Sequence, residues 1–273
     1  SFILCNFFIF LRGLGFLRCL FMVEDKTHYL EEKYLEMKER GETWDLKKLN
    51  SPSNAHVNVE GKETIMLASN NYLNLANDSR LKNSAKKAIE DFGVGAGSDW
   101  SIAGFMEIQE ELHNKIAEFK DTEAGLAYQT GFAVNSGLIP QILEKGDVFI
   151  SDELNHGSII DGIILSEADK LVYGHSDMSD LEDKLKKAQD EYNRKIILTD
   201  GVFSMDGDIA KMDEIQKLAD EYGAMTYVDD AHGEGVLGEG HGIASEFGLE
   251  DKIDFEVGTF SKAFGSFGGM LAG

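Results

Sequence analysis

From residue 125 onward, short apolar runs alternate with longer amphipathic stretches. The runs at 125–128, 147–151, 170–173, 196–199, 225–228 and 255–258 have the length and composition of buried strands. Between several of them lie amphipathic stretches at 134–143, 158–165, 178–188 and 212–222, which predict helices. The last of these meets Gly223, a residue that accepts the left-handed backbone of a helix stop. Strands alternating with helices predict βαβ units, hence an α/β fold on a mostly parallel sheet flanked by helices. Ahead of this rhythm, 26–40 has helical spacing with many charges, 51–54 reads as a loop, and 63–68 as a short strand before the polar Ser69-Asn70-Asn71-Tyr72. There is no internal repeat and no low-complexity linker. The pattern divides the chain into an apolar extension over 1–21, an N-terminal helical segment over 22–75 and a large domain over 76–273. The final residue, Gly273, falls just inside an apolar run that opens after Gly268-Gly269. A domain boundary is not expected there, so the large domain is expected to be incomplete, with a C-terminal small domain missing.

Residues 1–21 do not share the pattern. They are apolar and aromatic, and they hold both cysteines, Cys5 and Cys19. A membrane-spanning helix needs about 20 mostly apolar residues, and here Arg12 and Arg18 interrupt the run. The cationic leader and small-residue cleavage site of a signal peptide are also missing. The stretch reads as translated upstream sequence, with Met22 as the natural start; a short membrane-surface anchor is the alternative. From Met22 on there is no cysteine, which rules out a disulfide scaffold and fits a reducing cytoplasm. With 49 acidic against 26 basic residues the net charge is −23. Such a surface repels phosphate backbones and anionic lipid, so neither nucleic acid nor stable membrane insertion is expected.

Candidate chemistry follows from where the polar residues fall. Open α/β sheets bind ligands beyond the carboxyl ends of their strands. Five polar clusters stand at such ends: Gln129-Thr130-Gly131-Phe132, then 152–156, 200–204, Asp229-Asp230-Ala231-His232, and 259–262. Five in register imply a shared crevice. Lys262 follows an apolar strand among small and aromatic residues, a setting that desolvates an amine and favours the free base that forms Schiff bases. Taken alone, a lysine is more often a surface charge. Asp229 at a strand end needs a cationic partner if buried. A protonated pyridine nitrogen would supply one, and pyridoxal phosphate (PLP) requires that pairing to act as an electron sink; by itself the residue reads as a helix N-cap. Thr130-Gly131-Phe132 opens an apolar helix, which offers backbone amides to a phosphate or is simply a strand–helix turn. His156 either stacks on an aromatic ring or caps a helix. His113, His156, His175, His232 and His241 lack a close pair at ligand spacing and have no thiolate nearby, so no metal site is expected.

Four segments, 151–158, 199–208, 228–235 and 259–265, resemble the α-oxoamine synthases, fold-type-I PLP enzymes that join an amino acid to an acyl-CoA. The likeness runs from about Met22 to the last residue. Within the family, Asp200-Gly201-Val202-Phe203 and the stretch 151–161 are most similar to glycine C-acetyltransferase (2-amino-3-ketobutyrate CoA ligase), with 8-amino-7-oxononanoate synthase next. The resemblance implies that Lys262 carries PLP as a Schiff base and that Asp229 bonds the pyridine nitrogen. It implies that His156 stacks on the ring and that Ser204 and His232 lie near the 3′-oxygen. Gly131 and Phe132 would give backbone N–H groups to the phosphate, and Thr259 a hydroxyl. Asn70 and Tyr72 would stand at the substrate entrance. Lys262, His156, Asp229 and His232 would be catalytic. The implied reaction condenses glycine with acetyl-CoA to a 2-amino-3-oxo acid, releasing CoA, in a homodimer; sister enzymes also decarboxylate. The resemblance places a substrate-carboxylate arginine in a C-terminal domain, so the chain is expected to be inactive by itself. A non-catalytic subunit or an inactive truncated product are the rivals. Asn74, Trp100, Phe105 and Gln109 depart from residues usual in the family, in segments expected to face substrate or a partner subunit.

Overall fold

The computed structural model describes residues 26–273. The apolar extension over 1–21 and a start at Met22 lie outside the described residues. Two compact units are present. Among the described residues the smaller comprises 26–50 and 58–62, and the larger 51–57 and 63–273. Residues 63–75, which the chain pattern groups with the N-terminal segment, belong to the larger unit.

The smaller unit is built on the helix His28–Glu39, within the predicted 26–40, and buries none of its residues. Leu49 bridges Val59, and the Asn50 amide donates to the Asn58 carbonyl at 2.8 Å. Strands β1 (His56–Val59) and β2 (Lys62–Ile65) follow. The predicted strand over 63–68 stops short because every residue of β2 is exposed, so no buried face extends it.

The larger unit carries a seven-stranded sheet. Its strands are β3 (Gly125–Tyr128), β4 (Val148–Asp152), β5 (Asp169–Tyr173), β6 (Lys195–Asp200), β7 (Met225–Asp229), β8 (Phe255–Thr259) and β9 (Gly269–Ala272), in the order β3-β9-β8-β7-β6-β4-β5. Every pairing among β5, β4, β6, β7 and β8 is parallel. β9 runs antiparallel to both β8 and β3, so it alone opposes the rest. All residues of β4 and β6 are buried, because helices cover both faces of a parallel sheet. Side chains alternate between two cores, as strand geometry requires. Val148, Ile150, Ile197 and Val228 pack with Leu181, Leu185, Met212 and Ile215 of the helices Met178–Glu191 and Met212–Tyr222. Phe149, Ile196, Leu198, Tyr227 and Val257 pack with Val134, Ile139, Ile159 and Ile163 of the helices Gly131–Ile142 and Gly157–Leu165. Gly223 ends its helix in the left-handed region, at φ 60°.

The last apolar run forms β9, which sits inside the sheet, hydrogen-bonded on both sides, with all four residues buried.

Candidate active site

The common direction of β3, β4, β6, β7 and β8 brings their carboxyl ends to one edge. The loops that leave those ends enclose a cavity of about 230 Å³. Gly131, Phe132, His156, Ser204, Asp229, His232, Thr259 and Lys262 all line it, together with Asp200 and Ser261. The five polar clusters therefore converge as the strand pattern predicts.

Asp229 ends β7 and is nearly buried. Its Oδ2 accepts from Asn135 Nδ2 at 2.6 Å and its Oδ1 from the Ala231 amide at 3.1 Å. Asn135 is itself held by Tyr227, whose hydroxyl donates to Asn135 Oδ1 at 2.6 Å, and by Ser158 Oγ, which accepts from Asn135 Nδ2 at 2.9 Å. That same Ser158 Oγ lies 2.7 Å from His156 Nδ1. A fixed polar chain thus runs from His156 through Ser158 and Asn135 to Asp229. Of the two sequence readings His156 shows the cap: its Nδ1 caps the helix Gly157–Leu165 by accepting from the Ser158 amide at 3.2 Å, and the residue also lines the cavity.

Charges within the cavity perturb one another. Burial pushes the Lys262 ammonium pKa down, and the opposing pull of Asp229 and Asp200 does not restore it. Asp200 stands beside Asp229 in the β6–β7 register. Burial first, then repulsion by Asp229, raises its carboxyl to about 8. Burial and then the nearby Lys262 push His232 down to about 4, leaving a neutral imidazole. Its Nδ1 lies 2.6 Å from the Tyr72 hydroxyl, which also approaches Asn70 Oδ1 at 3.4 Å. Tyr72 thus reaches the site through His232, while Asn70 stands one contact further out.

Thr130 caps the helix Gly131–Ile142, its Oγ1 accepting from the Ala133 amide at 3.0 Å. A side chain at Gly131 would be tight, since a Cβ there would lie 3.3 Å from Thr259 Cβ. The Thr259 hydroxyl, predicted to serve a phosphate, instead donates to the Gly268 carbonyl at 2.9 Å. Ser261 Oγ lies 2.8 Å from it and lines the same cavity.

The family described as aminotransferase class I and II matches residues 62–273. The chain belongs to that family. Within it, the relatives are α-oxoamine synthases, the PLP-dependent group that the sequence resembles. The 8-amino-7-oxononanoate synthase of Thermoanaerobacter pseudethanolicus is 56% identical over 246 residues, covering 90% of this chain and 62% of the relative. That of Alkaliphilus metalliredigens is 53% identical, covering 91% and 63%. Among solved structures, Sphingomonas wittichii serine palmitoyltransferase matches with a TM-score of 0.82 at 30% identity, covering 93% of this chain and 64% of that one. The 8-amino-7-oxononanoate synthase of Francisella tularensis matches with a TM-score of 0.63 at 28% identity, covering 75% and 57%. The chain spans less than two thirds of the length of these relatives. The relatives favour 8-amino-7-oxononanoate synthase, second in the sequence comparison, over glycine C-acetyltransferase.

Against this family background the departures acquire structural reasons. Asn74 takes a left-handed backbone at φ 55°, a region that asparagine tolerates better than most residues. Trp100, Phe105 and His113 form an aromatic cluster with centroids 5.1–5.8 Å apart, and Gln109 Oε1 accepts from the Met106 amide at 2.9 Å. None of these residues lines the cavity; packing and helix capping occupy them. Sequence reasoning gave no role to Asp200, Asn135 or Ser261. For Asn135 a signal existed, a carboxamide between Val134 and the apolar stretch Leu138–Pro140 of a largely apolar helix. No described helix is long and apolar enough to cross a membrane.

Proposed function

We propose that the cavity binds PLP and that the protein condenses an amino acid with an acyl thioester, as an 8-amino-7-oxononanoate synthase. The observation that carries this reading is Asp229: a buried carboxylate, fixed on both oxygens, sharing a cavity with an amine of lowered pKa. A buried carboxylate of that kind suits a cationic ring nitrogen, and the helix start at Gly131 suits a phosphate. The residues present therefore fit the cofactor. Bound there, PLP supplies the electron sink that negative charge at an amino acid's Cα requires.

The protein's own groups divide the remaining work. Asp229 keeps the ring nitrogen protonated, and Asn135 keeps Asp229 in place. Gly131 and Phe132 offer backbone N–H groups to the phosphate, with Ser261 as the hydroxyl donor since Thr259 is engaged. His156 would stand against the cofactor ring. Lys262, whose pKa is lowered, would hold the cofactor through its carbonyl carbon and, once a substrate amine has displaced it, would be the general base for the Cα proton. Neutral His232, held by Tyr72, offers a ring nitrogen near the reacting atoms.

The substrate class follows from the relatives' product. In 8-amino-7-oxononanoate, the last two carbons with their amino group are what alanine leaves after losing its carboxyl, and the other seven form a dicarboxylic acyl group. A bond forms between alanine Cα and the thioester carbonyl carbon. The C–S and Cα–carboxylate bonds break, releasing thiol and CO₂. On the complete gene product, thiol and CO₂ release should be compared for alanine, glycine and serine with acyl-CoAs of varied length. Alanine with the seven-carbon dicarboxylic acyl-CoA is expected to turn over fastest. Preference for glycine with acetyl-CoA would move the protein to glycine C-acetyltransferase, and PLP loading without turnover of any pair would refute the condensation.

Asp229→Asn is expected to slow α-proton exchange of the amino acid about 10- to 150-fold, the equivalent of a charge-assisted bond worth about 1.5–3 kcal/mol. The amide keeps the shape but turns one of the two acceptors into a donor facing the Asn135 or Ala231 N–H, so about 1–3 kcal/mol of stability is expected to go with it. Unchanged exchange would remove Asp229 from the proposed role.

A further inference from the structure

His175 does not line the cavity, but it grips part of its wall. It follows β5 in the turn before the helix Met178–Glu191. Its Nδ1 lies 3.0 Å from Asp152 Oδ1 and its Nε2 lies 2.8 Å from Asp208 Oδ2. The ring stands edge-on to Phe203, with centroids 4.4 Å apart. Asp152 ends β4, is buried, and also accepts from the Leu154 and Ser176 amides. Asp208 belongs to the loop 202–209, which is closed on itself. There Val202 bridges Ile209, the Phe203 amide donates to the Asp208 carbonyl at 3.0 Å, and the Gly207 amide to the Phe203 carbonyl at 2.8 Å. Ser204, which lines the cavity, sits on this loop. The other charged groups at hand are Glu153, whose Oε1 accepts from the His175 amide, and Lys211, whose Nζ donates to the Ser176 carbonyl.

A neutral imidazole has one N–H and can donate to only one of two carboxylates; donating to both requires the imidazolium. We propose that His175 is a positioning residue, an imidazolium clamp that ties the loop 202–209, and with it Ser204, to the end of β4. Its bearing on catalysis rests on the cavity's being the PLP site. Burial disfavours the charged ring, but the bonds to Asp152 and Asp208 outweigh that and raise its pKa above the ordinary histidine value. A raised value gives stabilisation that is complete below the unfolded-state pKa and lost as pH rises through the folded one. The bond given up on deprotonation is the one to Asp208, whose side chain is 42% exposed against 1% for Asp152. Water can replace the clamp at Asp208 and not at Asp152.

Hydrogen exchange of the peptide covering 202–209 tests this on the complete protein, with PLP affinity measured alongside by absorbance. After correction for intrinsic rates, wild-type protection is expected to fall roughly tenfold or more as pH rises through the histidine transition. His175→Gln should remove the step and exchange fast at every pH. Asp208→Ala, a change at a partly exposed loop site, should do the same without disturbing β4, which keeps the proposal testable if His175→Gln folds poorly. Both variants should weaken PLP several-fold while exchange in β6 is unchanged. Protection that is independent of pH, or equal in wild type and Asp208→Ala, would overturn the clamp. Absence of PLP binding in wild type would instead overturn the site reading, leaving the exchange result to stand by itself.

Discussion

Lys262→Ala is expected to lower turnover by at least about 10²–10⁴-fold, the range for loss of one positioned general base, and further because the covalent link to the cofactor is lost as well. The fold should survive the change. Lys262 is an amine whose charge burial disfavours, so alanine removes a desolvated group rather than a supporting one. PLP should still bind, more weakly, through the helix start at Gly131 and through Asp229. Two neighbours should respond in opposite senses. His232 is held down partly by Lys262, so its pKa should rise toward the ordinary range. Asp200 is drawn down by the same lysine, so its carboxyl should climb still higher. Single-turnover rates, thermal unfolding and PLP affinity measured together check the prediction. Retained turnover would contradict it.

Lys120→Met is expected to cost about 3–5 kcal/mol of stability, the penalty for stranding buried charge. Lys120 is 2% exposed at its side chain and lies 2.8 Å from Glu234 Oε1 and 2.7 Å from Glu256 Oε2. It also donates to the His241 carbonyl at 2.5 Å. Asp230, buried nearby, raises the count to three carboxyls around one ammonium. Burial disfavours the lysine charge, yet the two glutamates outweigh that and raise its pKa. Burial likewise lifts Asp230 well above the carboxylate range and Glu234 to about 7. A carboxyl raised in the folded state keeps a proton that the unfolded chain has released. Stability should therefore fall as pH climbs from the ordinary carboxylate range to about 7, and the fall should be steeper without Lys120. Urea unfolding at pH 5 and pH 8 checks this: the deficit of Lys120→Met should be larger at pH 8. Adding Glu234→Gln should recover part of it. Equal deficits at both pH values would mean that lost packing, not charge, sets the cost.

The strands were legible because they are short apolar runs between polar ends. Each predicted strand of the sheet lies within one or two residues of the observed one. The site was legible for the same reason: in a parallel sheet every strand delivers its carboxyl end to one edge, so polar residues just past those ends must meet. What local pattern cannot carry is pairing order. β9 lies between β3 and β8, and nothing within residues 269–272 names those partners. Lys120 was missed on similar grounds. At the end of the helix Glu107–Lys120 it reads as a solvated C-terminal cation, while its partners are Glu234 and Glu256, more than a hundred residues away. The bond of the Thr259 hydroxyl to the Gly268 carbonyl was equally out of reach of local pattern, because its acceptor comes from the return toward β9.

The most direct test of the central claim, that this cavity holds PLP on Lys262, is borohydride reduction of the PLP-loaded complete protein, followed by peptide mapping. The expected product is a single reduced adduct on the peptide containing Lys262, with the cofactor's visible absorbance lost in proportion. An adduct on any other lysine, or a protein that takes up no PLP, would contradict the account.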